Sequence, residues 1–214
     1  MRDIAIYGAG GFGREVACMI NEINVRESVW NLVGFFDDGL PKGTAVGHWG
    51  IVLGDCATLN SWPSLLSIAV CIGAPVTLRK VVECITNPLI DFPNLIAPDF
   101  KIADPFTFSI GHGNIIKSFC VVTTNVRIGN FNVFNGSVSL GHDASIEDFN
   151  VFMPGAVISG EVRIGNNNLF GVNSIVIQQI RIGDGVRLSP GSVLLSKPKD
   201  ANLYIGNPAK KMKY

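Results

Sequence analysis

The chain has no apolar run long enough to span a bilayer, no CxxC pair, no long tract of one charge sign and only three histidines in 214 residues. Each absence removes a class of function. A transmembrane helix needs roughly 20 consecutive, mostly apolar residues, and none is present. Only Ile4 to Tyr7 follow the opening Met1-Arg2-Asp3, too short an apolar stretch for a secretory signal, so the expected location is cytoplasmic. Cys18, Cys56, Cys71, Cys84 and Cys120 are odd in number and widely spaced, which fits reduced core cysteines and not a disulfide framework. Formal net charge is zero, which makes nucleic acid and anionic membrane poor partners. His48, His112 and His142 are scattered, whereas zinc needs convergent ligands, so no metal is expected.

Apolar residues make up 47% of the chain, and their placement is periodic. From Ile110, steps of six land on Ile116, Val122, Ile128, Phe134, Leu140, Ile146, Phe152, Ile158, Ile164, Phe170, Val176, Ile182, Leu188 and Leu194, without a polar stop. At 3.6 residues per turn a helix would scatter these side chains around its axis. A strand keeps them on one face, because six is even. An unbroken six-residue period is the signature of a parallel β-helix.

Steps of eighteen sort the stops into three columns. Ile110, Ile128, Ile146, Ile164 and Ile182 form one, and Ile116, Phe134, Phe152, Phe170 and Leu188 the next. Val122, Leu140, Ile158, Val176 and Leu194 form the third. This predicts a three-sided prism in which residue i pairs with residue i+18. Five coils at about 4.8 Å each would stand roughly 24 Å tall. Asn114, Asn132, Asn150 and Asn168 share the same step and the inward parity, so they are expected to hydrogen-bond along a ladder. Gly129-Asn130, Gly165-Asn166 and Gly183-Asp184-Gly185 are expected at corners, as residues of positive φ. The repeat starts loosely at Ile96 and Ile102, slips by two residues around Phe106 to Phe108, and stops near Lys197-Pro198.

The first part of the chain reads differently. Ile4 to Tyr7 predicts a buried strand, Gly8-Ala9-Gly10-Gly11-Phe12-Gly13 a tight turn, and the pattern from Arg14 a helix. GxGxxG between strand and helix is the context in which the motif binds phosphate, on helix N-terminal N–H groups. Leu32 to Phe36 predicts a second strand running into Asp37-Asp38, where a dinucleotide fold places a ribose-binding carboxylate. Ile51 to Leu53 and Leu66 to Ile72 are further strands, and Pro75 to Cys84 a helix with proline at its start. That is about half a dinucleotide fold, which suits a mononucleotide better than NAD. Pro88, Pro93 and Pro98 mark a linker. The fold class is thus α/β plus β. Residues 1–86 form a Rossmann-like domain, 87–100 a linker, 101–199 the β-helix and 200–214 a C-terminal tail.

IAIYGAGGFGREV, the FFDD of the second strand, IGAPVTLRKVV, NGSVSLGHDASIEDF and IGNPAKKM occur in this order. Together they make the chain resemble, over its full length, the PglD/NeuD-type sugar acetyltransferases of the hexapeptide-repeat acyltransferases. The resemblance implies a left-handed coil, against the general right-handed preference of parallel crossovers. It implies an N-terminal nucleotide-sugar module with Gly10, Gly11, Phe12, Gly13, Asp37, Asp38 and Asn135 toward that substrate. It also implies a homotrimer with acetyl-CoA between neighbouring prisms. His142 matches the family's general base, with Asp143 to orient it and Glu147 and Asp148 as fallback partners. Gly160 matches a backbone donor near the thioester carbonyl, and Gly206, Asn207, Pro208, Ala209 and Lys210 match a tail along CoA. Many members carry a second histidine near Asn150-Val151-Phe152, which this chain lacks.

The expected activity is therefore acetyl-CoA-dependent N-acetylation of a nucleotide-activated amino sugar. Its rivals are O-acetylation of sialic acid or another sugar, a β-helical metal hydratase, and a non-catalytic nucleotide-sugar binding protein. His112 and His142 are thirty residues apart, on different corners, which weighs against the hydratase.

Overall fold

The computed structural model describes residues 1–212. They form two compact units, Met1–Pro98 and a second from Asp99 onward.

The first unit is a five-stranded sheet. In chain order it comprises β1 (Arg2–Tyr7), α1 (Gly11–Arg26), β2 (Trp30–Phe36), β3 (Val52–Gly54), α2 (Cys56–Asn60), β4 (Leu66–Val70), α3 (Pro75–Cys84) and β5 (Ile90–Asp91). The strand order is β3-β2-β1-β4-β5, and every pairing is parallel. Ile4, Ala5 and Ile6 are wholly buried, and every residue of β4 is buried, as expected of parallel strands covered on both faces. α1 turns Val16, Ala17, Met19 and Ile20 inward. α3 starts with Pro75 in its first turn, where the missing N–H costs nothing.

Two elements were not legible beforehand. α2 is a single short helix whose N-cap, Asp55, accepts the Thr58 N–H at 2.9 Å. The proline-rich stretch from residue 87 is not a plain linker. Its Ile90–Asp91 pairs with Leu66–Ser67 and extends the sheet. The prolines flank this pairing and leave its donors in place.

The second unit is a three-faced parallel prism built from two-residue strands, each face a ladder of parallel strands. Ile128 pairs with Ile146, Phe134 with Phe152 and Leu140 with Ile158, all eighteen residues apart. Fourteen of the fifteen periodic residues are buried, and Ile110, in the first coil, is half-buried. Phe134, Phe152 and Phe170 stack face to face, with centroids 4.6 and 4.7 Å apart. The slip is real: Lys101–Ile102 pairs with Val121–Val122, twenty residues on, whereas Ser109–Ile110 pairs with Arg127–Ile128, eighteen on. The first corner, between Ile102 and Ile110, thus holds two extra residues.

The asparagines form a buried ladder. Asn114, Asn132, Asn150 and Asn168 are 0% exposed. Asn150 Nδ2 donates to Asn132 Oδ1 at 3.1 Å, and Asn150 Oδ1 accepts from Asn168 Nδ2 at 2.9 Å. The ladder ends where Val186 N–H donates to Asn168 Oδ1.

The corner glycines behave otherwise than expected. Positive φ recurs every six residues from Gly113 to Gly191, and ten of these positions are not glycine, among them Phe119, Asn125, Phe131, Asp143 and Gln179. Gly129, Gly165 and Gly183 are not among them. They are small because a Cβ would strike Asp148, Asp184 and Asp200 in the next coil. Gly185 alone of the named glycines has positive φ.

The tail also departs from expectation. Leu203–Ile205 pairs with Arg187–Leu188, so Tyr204 continues the phenylalanine column. Lys210–Lys211 then returns antiparallel beside it. Cys56, Cys71 and Cys120 are buried, and burial pushes the Cys56 thiol up to about 12 and the Cys120 thiol up to about 11, but Cys18 on α1 and Cys84 at the end of α3 are exposed, so the expectation of five core cysteines holds for three. Among the described residues no helix is long and apolar enough to cross a membrane.

Candidate active site

His142 stands at a corner of the prism, between the strands Ser139–Leu140 and Ser145–Ile146. Its neighbour Asp143 takes the left-handed conformation, φ 60°, required at that corner. Asp143 thereby turns its carboxylate back on the ring, and Oδ2 lies 2.8 Å from His142 Nδ1. Both side chains stay nearly half exposed. The Asn125 amide, and after it His142, hold the Asp143 carboxyl below the usual carboxylate range. Asp143 therefore stays charged through the usual carboxylate range, and it can fix the imidazole with its proton on Nδ1.

Gly160 lies one coil further on, directly against the ring. A Cβ at residue 160 would fall on His142 Nε2, Cε1 and Cδ2. The carbonyl of Gly160 accepts from Gln179 N–H. Asp143, though not His142 itself, lines an open groove of about 1010 Å³ together with Arg127, Arg163, Arg181, Glu147, Glu161 and Gln179 among others. Arg163 and Arg181 are paired across adjacent rungs, and opposed like charges repel. Sequence reading missed these arginines, although they sit eighteen apart immediately before buried isoleucines. Glu147 lines this groove, whereas Asp148 accepts Asn130 N–H at the next corner.

Asn135 and the tail are elsewhere on the prism. Asn135 begins the corner before the strand Ser139–Leu140, and its amide donates to Phe152 O at 3.2 Å. Gly206 N–H donates to Ser192 Oγ and Ala209 N–H to Val193 O, which sets Gly206 to Lys210 at that same corner, further along the axis. Within one chain, then, His142, Asp143 and Gly160 converge, while Asn135 and residues 206–210 line the opposite edge of the same face. At the family's second histidine position Asn150 and Phe152 point into the core, fully buried.

In the first unit the glycine turn lies where the strand order reverses, between β1 and β4, the place at which open α/β sheets bind ligands. A Cβ on Gly13 would run into the Gly8 carbonyl, whereas Gly10 has open space around it. α1 has no side-chain N-cap. Asp37 Oδ2 accepts Ala9 N–H and Oδ1 accepts Gly39 N–H, both at 2.8 Å, so this carboxylate braces the turn. Asp38 accepts from the Tyr7 hydroxyl at 2.6 Å and from Cys56 N–H at 3.0 Å. Burial, and then Asp38, push the Tyr7 phenol upward, so it remains a donor. Asp37, Asp38, Lys42, Asp55 and Thr58 line a cleft of about 420 Å³. Tyr7, Lys42 and Thr58 carry no motif that would have marked them. No three His, Cys, Asp or Glu side chains converge as a metal site among the described residues.

Residues 3–85 match the family model of the PglD N-terminal domain. No curated protein matches the chain significantly. The acetyltransferase domain of PglB from Neisseria gonorrhoeae FA1090, solved in complex with acetyl coenzyme A, is 30% identical, with 99% of each chain covered and a TM-score of 0.87. WeeI from Acinetobacter baumannii AYE is 26% identical over 99% of this chain and 100% of its own, with a TM-score of 0.88. PerB from Caulobacter crescentus, in complex with CoA and GDP-perosamine, shares the fold at 22% identity, covering 100% and 98%, with a TM-score of 0.83. The fold is the left-handed β-helix of these proteins, preceded by a small Rossmann-like sheet. By its glycine-turn module, its eighteen-residue coils and its full-length likeness to the PglB domain, the chain belongs to the PglD-type sugar acetyltransferases of the hexapeptide-repeat superfamily.

Proposed function

We propose that this protein transfers the acetyl group of acetyl-CoA to an amino group of a nucleotide-activated sugar. The observation that carries this reading is the His142–Asp143 pair, 2.8 Å apart on an exposed corner with a glycine beneath the ring. Asp143 keeps the proton on Nδ1 and leaves Nε2 free to accept one. The amine attacks the thioester carbonyl while Nε2 removes its proton. The oxyanion that forms needs a donor, and the Gly160 N–H, which has no acceptor among the described residues, is suited to it. Collapse of the intermediate expels the thiolate, which recovers the proton from the imidazolium.

The acceptor's nucleotide would lie at the glycine turn, with backbone N–H groups of Gly10 to Gly13 toward phosphate and Asp37 or Asp38 toward ribose or base. The three arginines of the groove suit a phosphorylated ligand beside the dyad. Asn135 and the Gly206 to Lys210 segment belong to the same site only if a neighbouring prism brings its edge against the His142 corner. This favours a homotrimer whose sites lie between subunits, and sedimentation equilibrium tests it.

The decisive experiment is turnover of His142→Ala with UDP- and dTDP-amino sugars. Removing a positioned base should lower kcat by about 10² to 10⁴, with acetyl-CoA affinity unchanged. Near-wild-type turnover at saturating substrates would remove the base from the mechanism.

A further inference from the structure

We propose that Asn125 is a positioning residue for the His142–Asp143 pair, and that the enlarged first corner of the prism exists to hold it; this rests on reading His142 as the base. Asp143 has two oxygens to place. Oδ2 meets His142 Nδ1, and Oδ1 accepts from Asn125 Nδ2 at 2.6 Å. Asn125 stands eighteen residues before Asp143, on the same corner one coil earlier, with the same left-handed backbone at φ 53°. Without its amide the carboxylate would have only the imidazole to orient it, on a surface open to water. The low-lying Asp143 carboxyl agrees, since the Asn125 hydrogen bond is the largest cause of its shift.

The second observation concerns what holds Asn125. At the other left-handed corners of this edge the backbone N–H donates to a carbonyl of the preceding coil: Asp143 to Thr124 O, Glu161 to His142 O, Gln179 to Gly160 O. Asn125 differs. Its N–H donates to the hydroxyl of Thr107 at 2.7 Å. Thr107 in turn donates to Asp104 Oδ2 at 2.7 Å, and Thr124 donates to the same oxygen at 2.8 Å. Asp104 and Thr107 both belong to the corner that carries the two extra residues. The departure from the eighteen-residue step therefore sits where it replaces a backbone contact with a side-chain network. That network runs Asp104, Thr107, Asn125, Asp143, His142.

The test uses the full-length protein. Asn125→Gly removes the amide, and glycine accepts the left-handed backbone without strain. Asn125→Asp keeps the shape but sets a carboxylate against Asp143. Asn167→Gly makes the same exchange at a left-handed position, φ 58°, on the third corner, away from both the dyad and the Asn135 edge, as a control. Asn125→Gly should lower kcat about tenfold, short of the roughly 10²-fold that a 1 Å misplacement of a reacting group can cost, with the acetyl-CoA KM unchanged. Asn125→Asp should lose more, and the control nothing. Nitrogen-15 spectra of the imidazole should show one tautomer, protonated at Nδ1, in the wild type and a mixture in Asn125→Gly. Wild-type kcat and an unchanged tautomer in Asn125→Gly would overturn the proposal. If His142→Ala stays active while Asn125→Gly still mixes the tautomers, the positioning stands and the base reading falls. If His142→Ala is inactive and Asn125→Gly is silent by both measures, the positioning falls alone.

Discussion

The imidazole of His142 rests against the α-carbon of Gly160, eighteen residues later, so closely that a methyl group there would occupy the ring's place. The backbone of Gly160 is not in the left-handed region, so alanine is tolerated conformationally and its nearest conflict is with the ring. Gly160→Ala should therefore fold, with a melting temperature near the wild type, and lose at least about 10² in kcat, as expected when a catalytic group is displaced by 1 Å or so. Calorimetry and kinetics on the same sample check this. Full activity would show that the ring can leave Gly160 without consequence.

Asp143 bears on the pH profile. Its folded carboxyl lies below the usual range, so its stabilising contribution is present above the unfolded value and lost only as pH falls through the depressed folded one. The carboxylate therefore stays charged through the usual carboxylate range. The rate should rise with pH, level off once the imidazole is neutral, and follow a single proton on the acid side. Asp143→Asn should lower the plateau, by less than His142→Ala does, because it disturbs orientation without removing the base. A two-proton fall in log kcat above the ordinary Asp range of about 3.9 would contradict this assignment.

The asparagine ladder makes a prediction about stability. Asn150→Val keeps much of the volume but leaves the Asn168 N–H without its acceptor and Gly165 O without the Asn150 amide, while Asn168 Nδ2 keeps only Gly183 O and Asn132 Oδ1 only the backbone N–H of residue 150. Each orphaned buried group costs about 1–3 kcal/mol, so the loss should be about 3 kcal/mol or more. Urea unfolding at unchanged m-value measures it. A loss under about 1 kcal/mol, the net worth of a single ordinary hydrogen bond, would mean that the column is held by packing alone.

The prism was almost entirely legible because its period reports side chains that point inward, and those obey volume and polarity. Phe134, Phe152 and Phe170 could be stacked on paper, and the two-residue slip near Phe106 located the enlarged coil. Corner chemistry was less legible. Left-handed positions at this edge are filled by Asn125, Asp143, Glu161 and Gln179, because neighbouring coils impose the turn whatever the residue prefers. Glycine was therefore a poor marker of positive φ here and a good marker of close approach. Asn125 could have been found by stepping eighteen residues back from Asp143. α2 and β5 are too short to carry a period of their own. The separation of Asn135 from His142 follows from counting corners, but motif order along the chain hides it.

The folded-back tail has a consequence for assembly. A stack of parallel rungs has no intrinsic length, since its last rung offers the next one the same open row of donors and acceptors. On the phenylalanine face, Leu203–Ile205 is laid down as a last rung, and Lys210–Lys211 then pairs with it in the opposite sense. A further copy arriving end-on would meet a reversed strand carrying two exposed ammonium groups, which neither continues the register nor welcomes another lysine pair. The hairpin thus acts as a terminator on that face, keeping a fibre-like lattice a particle of fixed length.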